Sequence, residues 1–126
     1  MLMITAIIQP GRLRHVRAAL ISAGLLGMIT HDCVGHGCNE KLVPSRMGGP
    51  DLPDILPNGK LEIAVPSERR DEAIDAIIRG ARLGRTGDGK IFVSPLERVI
   101  SIRTGREDGL PEELAVEQAH IGEAAA

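Results

Sequence analysis

The segment HDCVGHGC, residues 31–38, contains two histidines and two cysteines. Imidazole nitrogens and thiolates are ligands for zinc and copper, so His31, Cys33, His36 and Cys38 form a candidate metal site. Their spacing is not that of a standard zinc finger, and a strand would have to bend at the glycines to bring all four together. The other interpretation makes Cys33 a small buried hydrophobe in a strand that ends beside a different site. The pattern favours this second interpretation.

The segment TGDGK, residues 86–90, is the second candidate for chemistry. Closely spaced glycines let backbone N–H groups approach a phosphate, and the adjacent Lys90 supplies positive charge. The glycine spacing is not that of a Walker loop, and Gly-Asp-Gly is also a common turn before a strand. No Ser-His-Asp arrangement or pair of carboxylates stands out, so the sequence predicts a protein that is not an enzyme.

The composition limits the functional class. The chain has 126 residues, enough for one domain, with 43% hydrophobic and 25% charged residues. It contains one Phe, no Tyr and no Trp, and its formal net charge is −2. Nucleic-acid binding is not expected, because base-stacking aromatics and a basic surface are both missing.

The expected cellular location is the cytoplasm. No apolar run approaches the roughly 18 residues of a membrane span, so membrane insertion is not expected. The first residues, MLMITAIIQPGRLRHV, lack the order of a signal peptide. In such a chain the two cysteines are expected to be free thiols.

Hydrophobic patterning predicts four strands and two helices. The predicted strands are MITAIIQP, GMITHDCVGHG, KLEIAVP and IFVSPLERVISIR, the last broken in two at Pro95. The first helix carries one apolar face and ends at Gly24. That face is formed by Leu13, Val16, Ala19, Leu20 and Ala23. The second helix, SERRDEAIDAIIRGARLG, is predicted to start with Ser67 as N-cap and to end at Gly84.

Residues 38–58 hold four prolines and two glycines without periodicity, which predicts a long loop. The order β-α-β-loop-β-α-β is that of an α+β, ferredoxin-like fold. Its two helices would cover one face of an antiparallel sheet. The other face would also carry apolar side chains, which predicts an oligomer.

Several of these segments occur together in a known family. The chain resembles the PII signal-transduction proteins (nitrogen regulatory protein P-II family) in the segments AIIQPGRL, VGHG (residues 34–37), KLEI, GDGKIFVSP and IRTG. The resemblance runs from Met1 to about Arg106. It implies a cytoplasmic homotrimer with a PII-like domain over 1–106 and a C-terminal extension over 107–126. Within that domain it implies a T-loop at 36–58 and a nucleotide-binding loop at 82–90.

The resemblance also implies an adenine nucleotide, ATP, ADP or AMP, as a ligand in clefts between subunits, with no obligatory cofactor. The residues carried over as nucleotide-binding are Ile7, Met28, Gly35, Gly37, Glu62, Gly87, Asp88, Gly89, Lys90 and Arg103. Glycine N–H groups, a lysine and an arginine suit polyphosphate, whereas a carboxylate and apolar surface suit the nucleoside. For three of them a plain alternative stays open, in which Ile7 and Met28 are core and Glu62 is a solvated carboxylate.

Departures from the family pattern predict an altered ligand set. Cys38 and Ser101 stand where the family has phosphate-facing arginines, so ADP or AMP should compete with ATP. Asn39 and Asn58 replace the glutamine and lysine that serve 2-oxoglutarate binding, which predicts loss of that response. Asp51 stands at the position of a modifiable tyrosine, and the chain has no tyrosine.

The implied role is regulation of a transporter or metabolic enzyme through the T-loop. Two alternatives remain open. One is a metal-responsive protein that uses His31, Cys33, His36 and Cys38, and the other is a sensor of nucleotide together with bicarbonate. The arginines of the first helix, Arg12, Arg14 and Arg17, are expected to form a solvated face.

Overall fold

The structure is a computed structural model that describes residues 1–36, 42–43, 52–53 and 55–107. Its strands are β1 (Leu2–Ile8), β2 (Ile29–His36), β3 (Leu42–Val43), β4 (Leu52–Pro53), β5 (Ile55–Val65) and β6 (Gly89–Pro95). Its helices are α1 (Leu13–Ser22) and α2 (Arg70–Ala81), each preceded by a short 3-10 turn.

Four of the strands form one antiparallel sheet in the order β2-β5-β1-β6. The two short strands β3 and β4 pair separately. In sequence order the main sheet and its helices read β-α-β-β-α-β, which confirms the predicted α+β ferredoxin-like fold.

The core lies between the sheet and the two helices. Alternate residues of the two central strands, such as Ile4 in β1 and Ile63 in β5, pair in the ladder and are at most 1% exposed. Val16 and Leu20 of α1 and Ile77 of α2 cover them and are fully buried. Removing one such aliphatic side chain from water contributes about 1.5–3 kcal/mol, so this face supplies most of the driving force for folding.

The two helices touch at a glycine. A Cβ at Gly80 in α2 would lie 2.7 Å from Cα of Val16 in α1, so only glycine allows this backbone approach. Arg12 strengthens the same contact, because its Nε donates a hydrogen bond of 3.0 Å to the Gly80 carbonyl. The expectation that Arg12 belongs to a solvated face is therefore wrong, whereas Arg14 and Arg17 are exposed as expected.

The helix ends match the sequence only in part. Gly24 follows α1 with a φ of +76°, the left-handed conformation of a glycine stop, as predicted. The second helix ends at Ala81 rather than at Gly84, because Arg82 is already extended. Ser67 is not the N-cap of α2, because it is the first residue of the preceding 3-10 turn. The residue at the N-cap position of that turn is Pro66, and no side chain caps it.

The predicted loop 38–58 ends earlier than expected, because β5 already begins at Ile55. Residues 55–58 pair only with β2, and β1 joins from Gly59 onward. Pro57 is therefore tolerated, since it lies where one side of the strand is unpaired.

The second half of the predicted strand 91–103 is also wrong. Pro95 ends β6, and beyond it residues 96–107 form turns with one isolated bridge between Ile100 and Glu107. The next residue, Leu96, still donates its backbone N–H to the Met1 carbonyl at 3.0 Å, so β6 stops where its partner strand β1 begins.

The face of the sheet opposite the helices carries exposed apolar side chains, as predicted. Ile29 of β2 is 61% exposed and Phe92 of β6 is 54% exposed. They lie in one row across the sheet with Thr5 and Glu62. We call this surface the open face. Within the described ranges no helix is both long and apolar enough to cross a membrane.

Candidate functional site

A cavity of about 800 Å³ lies where β1 ends, between the start of β5 and the loop before β6. Its walls combine apolar side chains, amides, glycine backbone and one lysine. The lining residues are Ile7, Gln9, Pro10, Gly11, Leu56, Pro57, Asn58, Thr86, Gly87, Gly89, Lys90 and Phe92. This is the size of cleft that holds a small organic ligand.

Asp88 shapes the loop that closes one side of this cavity. Its Oδ2 accepts hydrogen bonds from the backbone N–H groups of Leu83 and Gly84 at 2.9 Å and of Arg85 at 3.3 Å. These donors, with Leu83 the strongest, lower the pKa of the Asp88 carboxyl below its ordinary value. Asp88 therefore holds residues 83–88 in a compact turn.

Two glycines are required by the backbone of this loop. Gly87 and Gly89 have φ values of +97° and +115°, where side chains are strained. A Cβ at Gly89 would also collide with the carbonyl oxygen of Ile7 on β1. Gly89 therefore lets the end of the loop lie directly against the strand that forms the floor of the cavity, whereas Gly87 serves the turn itself.

Gln9 joins the loop to the end of β1. Its Nε2 donates to the Gly87 carbonyl at 3.3 Å, and its Oε1 accepts from Nη2 of Arg85 at 3.4 Å. Both contacts link residues more than 70 positions apart in the chain. Gln9 thereby fixes the loop against the cavity wall.

Four of the residues expected from the sequence line the cavity: Ile7, Gly87, Gly89 and Lys90. Asp88 supports them from within the loop. Gly35 lies opposite Leu56 in the β2–β5 ladder, next to the cavity wall. Gly37 lies outside the described residues.

The other three expected residues are not brought to this cavity within one chain. Glu62 lies on the open face, where its Oε1 is 3.3 Å from Nζ of Lys60 and 3.5 Å from Nε2 of His31. Met28 packs against the core, and Arg103 lies in the exposed turn after β6. A single subunit thus presents the glycine–lysine part of the expected site alone.

Gln9, Thr86, Leu56 and Phe92 are cavity residues that sequence reasoning did not assign. Thr86 lies inside the segment TGDGK and Gln9 inside AIIQPGRL, so membership of these segments was their only signal. The position of Phe92 follows from the strand pairing. Phe92 pairs with Thr5, and Lys90 pairs with Ile7 two residues away on the same face of the sheet.

The candidate metal ligands are separated by the strand register. His31 and Cys33 lie on the open face opposite Lys60 and Asn58, whereas His36 is an odd number of positions away and lies on the other face. The thiol of Cys33 is free and lies 3.6 Å from the carbonyl oxygen of Asn58. In the described part of the chain no three His, Cys, Asp or Glu side chains could hold a metal together, and Cys38 lies outside it.

Comparison with known proteins agrees with this architecture. Residues 1–106 match the family model described as nitrogen regulatory protein P-II. The chain is 45% identical over 105 residues to nitrogen regulatory protein P-II 1 of Escherichia coli K12, covering 83% of this chain and 94% of that protein. It is 44% and 43% identical over the same length and shares to the P-II proteins of Klebsiella oxytoca and Pasteurella multocida. The chain therefore belongs to the nitrogen regulatory protein P-II family, whose members are regulatory signalling proteins rather than enzymes.

Proposed function

We propose that this protein is a PII-type sensor that binds an adenine nucleotide, ADP, AMP or ATP, in the cavity beside the 82–90 loop. The observation that carries the proposal is the meeting of Gly87, Gly89 and Lys90 at one wall of that cavity of about 800 Å³. Backbone amides and an ammonium group are the donors that phosphate oxygens accept from.

The rest of the cavity lining suits the nucleoside. Ile7, Leu56 and Phe92 supply apolar surface, and the amide of Asn58 supplies hydrogen-bonding groups. An apolar pocket with a few polar groups is the usual recognition surface for a planar base and its sugar.

The proposed assembly is a homotrimer in which neighbouring subunits complete the site. The open face supports this, because exposed side chains such as Ile29 and Phe92 need cover. Met28, Glu62 and Arg103 do not reach the cavity of their own chain, so the proposal assigns them to a neighbour's cleft.

The proposed ligand set is shifted relative to the family pattern. Cys38 and Ser101 replace two arginines, each of whose charge-assisted contacts would stabilise a phosphate by about 1.5–3 kcal/mol. Losing them weakens the preference for triphosphate, so ADP and AMP compete with ATP. Asn39 and Asn58 remove the groups that would hold 2-oxoglutarate.

The output of the sensor is the T-loop, residues 36–58, most of which lies outside the described residues. The β2 and β5 ends that carry this segment flank the cavity at Leu56, Pro57 and Asn58. A ligand in the cavity would therefore act on the base of the loop, which in turn regulates a partner transporter or metabolic enzyme.

The test is calorimetric titration of the full chain with ATP, ADP and AMP, each with and without 2-oxoglutarate, bicarbonate or zinc. Micromolar binding of ADP or AMP without an effect of 2-oxoglutarate is expected. Lys90→Ala should weaken ADP binding by at least about tenfold, as loss of a charged hydrogen-bonding partner does. Arg79→Ala, an exposed cation on α2, is the matched control and should bind as the unmodified protein does.

Zinc binding without nucleotide binding would contradict the proposal. If no nucleotide binds and zinc instead binds tightly in a way that Cys38→Ser abolishes, the sensor proposal fails and the metal-responsive alternative replaces it. Binding of nucleotide only in the presence of bicarbonate would favour the bicarbonate alternative.

A further inference from the structure

Arg85 places its guanidinium group against Gln9, which lines the cavity. Its Nη2 donates to Oε1 of Gln9 at 3.4 Å, and Gln9 itself lines the cavity. The motif in the sequence pointed to Lys90 as the cation of this loop, whereas the fold brings a second one, Arg85, into contact with a lining residue although it does not line the cavity itself.

The position of Arg85 is held from two sides. Its backbone N–H donates to Oδ2 of Asp88 at 3.3 Å, which fixes the main chain. Its side chain rests on Gln9, whose own Nε2 is tied to the Gly87 carbonyl at 3.3 Å. A planar guanidinium that is already positioned loses less conformational freedom when it binds a ligand.

The charge of Arg85 is not neutralised by an ion pair within the described ranges. By contrast Arg69, Arg70 and Arg98 each lie 2.6–3.0 Å from a carboxylate oxygen. The acceptor that Arg85 uses is a neutral amide oxygen. Asp88 is close enough for its pKa to be lowered by this charge, but its Oδ2 accepts from three backbone amides.

Among the described residues, most donors of the guanidinium are therefore left for a ligand. Arginine carries five N–H donors in a plane, and the side-chain contact to Gln9 uses one nitrogen. Phosphate groups match this donor geometry and can accept two parallel hydrogen bonds.

We propose that Arg85 is a further phosphate-binding residue of the cavity and that Gln9 is its positioning residue. This inference rests on the proposed nucleotide site. The pair favours nucleoside di- and triphosphates over monophosphates, because ADP and ATP bring more negative charge to an added cation than AMP does.

The experiment is a double-mutant cycle on the full chain. Dissociation constants for ATP, ADP and AMP are measured for the unmodified protein, Arg85→Ala, Gln9→Ala and the double variant. Arg85→Ala should weaken ADP and ATP by about tenfold or more and AMP by less than about threefold. Gln9→Ala should weaken ADP by about threefold, and the double variant should bind no more weakly than Arg85→Ala alone.

Two further variants exclude a merely structural effect. Arg85→Lys keeps the charge but loses the planar donor geometry, so it should recover part of the lost ADP affinity. Arg79→Ala removes an exposed arginine of α2, outside the 82–90 loop, and should leave the ATP-to-AMP affinity ratio unchanged. Thermal unfolding midpoints of all variants should match that of the unmodified protein.

The outcomes separate the two proposals. If the unmodified protein binds none of the three nucleotides, the proposed function fails. If it binds them and Arg85→Ala changes ADP affinity by less than about twofold, or weakens all three nucleotides equally, the nucleotide site stands and the role of Arg85 is wrong. Additive losses in the cycle would overturn the positioning role of Gln9 alone.

Discussion

The two faces of the main sheet carry alternate side chains of the same strands, but one face is buried and the other is exposed. On the helix-covered face Ile4, Leu61 and Ile63 are at most 1% exposed. On the open face Ile29 is 61% exposed and lies in the same row as Glu62. One face is closed by the chain's own helices, and the other is closed by nothing in the described part of the same chain.

This difference assigns separate tasks to the two faces. The covered face fixes the fold, since burial there is complete within a single chain. The open face mixes apolar side chains with charged groups, including the cluster of Glu62 with Lys60 and His31. Such a mixed surface suits an interface whose polar groups contact a neighbour or its ligand.

The largest expected effect comes from truncating the covered face. Ile63→Ala should lower the free energy of unfolding by about 2–5 kcal/mol, because it leaves a cavity in a closed core. Chemical denaturation measures this difference. Ile29→Ala on the open face is the counterpart and should cost under about 1 kcal/mol at protein concentrations where the chain is monomeric. Equal losses would erase the distinction between the faces.

A second effect distinguishes assembly from folding. Ile29→Asp places a charge on the open face and should convert the proposed trimer to monomers in sedimentation velocity, since a charge buried without a partner is strongly unfavourable. Ile21→Asp is the matched control, because Ile21 is 50% exposed on α1, on the helical side of the molecule. Retention of the trimer by Ile29→Asp would show that the open face is not the interface.

The smallest effect concerns the loop between Leu83 and Asp88, which Gln9 ties to the end of β1. The pKa of Asp88 is lowered in the folded protein, so the stability it contributes is present above the ordinary carboxyl pKa of about 3.9. That stability is lost as the pH falls through the lowered folded value.

Amide titration by NMR checks this. The N–H signals of Leu83, Gly84 and Arg85 should shift together only in that acidic range, and Asp88→Asn should remove the transition. Asp75→Asn, on the exposed side of α2, should leave it in place. A transition that survives Asp88→Asn would assign the loop's pH response to another group.

Much of the fold could be predicted from local pattern. Alternation in KLEIAVP placed Leu61, Ile63 and Val65 on one face, and all three are at most 1% exposed. The stop at Gly24 followed from glycine's left-handed preference, and its φ is +76°. These predictions hold because each depends on a residue and its close neighbours in sequence.

The predictions that were wrong share a different cause. Pro57 suggested a loop, but it lies in a strand that is paired on one side only. Ser67 suggested a cap, but the chain enters α2 through a 3-10 turn instead. Arg12 suggested solvent exposure, but Gly80 of the other helix offers it a carbonyl. Each outcome depends on a neighbour that is distant in sequence.

The candidate site also has one part that a local sequence motif indicates and another that depends on contacts between distant segments. Gly87, Gly89 and Lys90 were candidates from the local motif together with the family resemblance, and the structure places all three on the lining of one cavity. The partnership of Gln9 with Arg85 could not be predicted in this way, since nothing in either segment indicates that a glutamine after the first strand meets an arginine before the last one.

The sequence by itself determined the order of the four main strands and two helices and the family, because these reside in short patterns of side-chain size, polarity and backbone freedom. Only the tertiary structure decided which strands are neighbours, and therefore that β1 lies between β5 and β6. That order brings Ile7, Gln9, Asn58 and Lys90 around one cavity. The physical reason is that strand pairing is set by the burial of a whole face, which no single segment encodes.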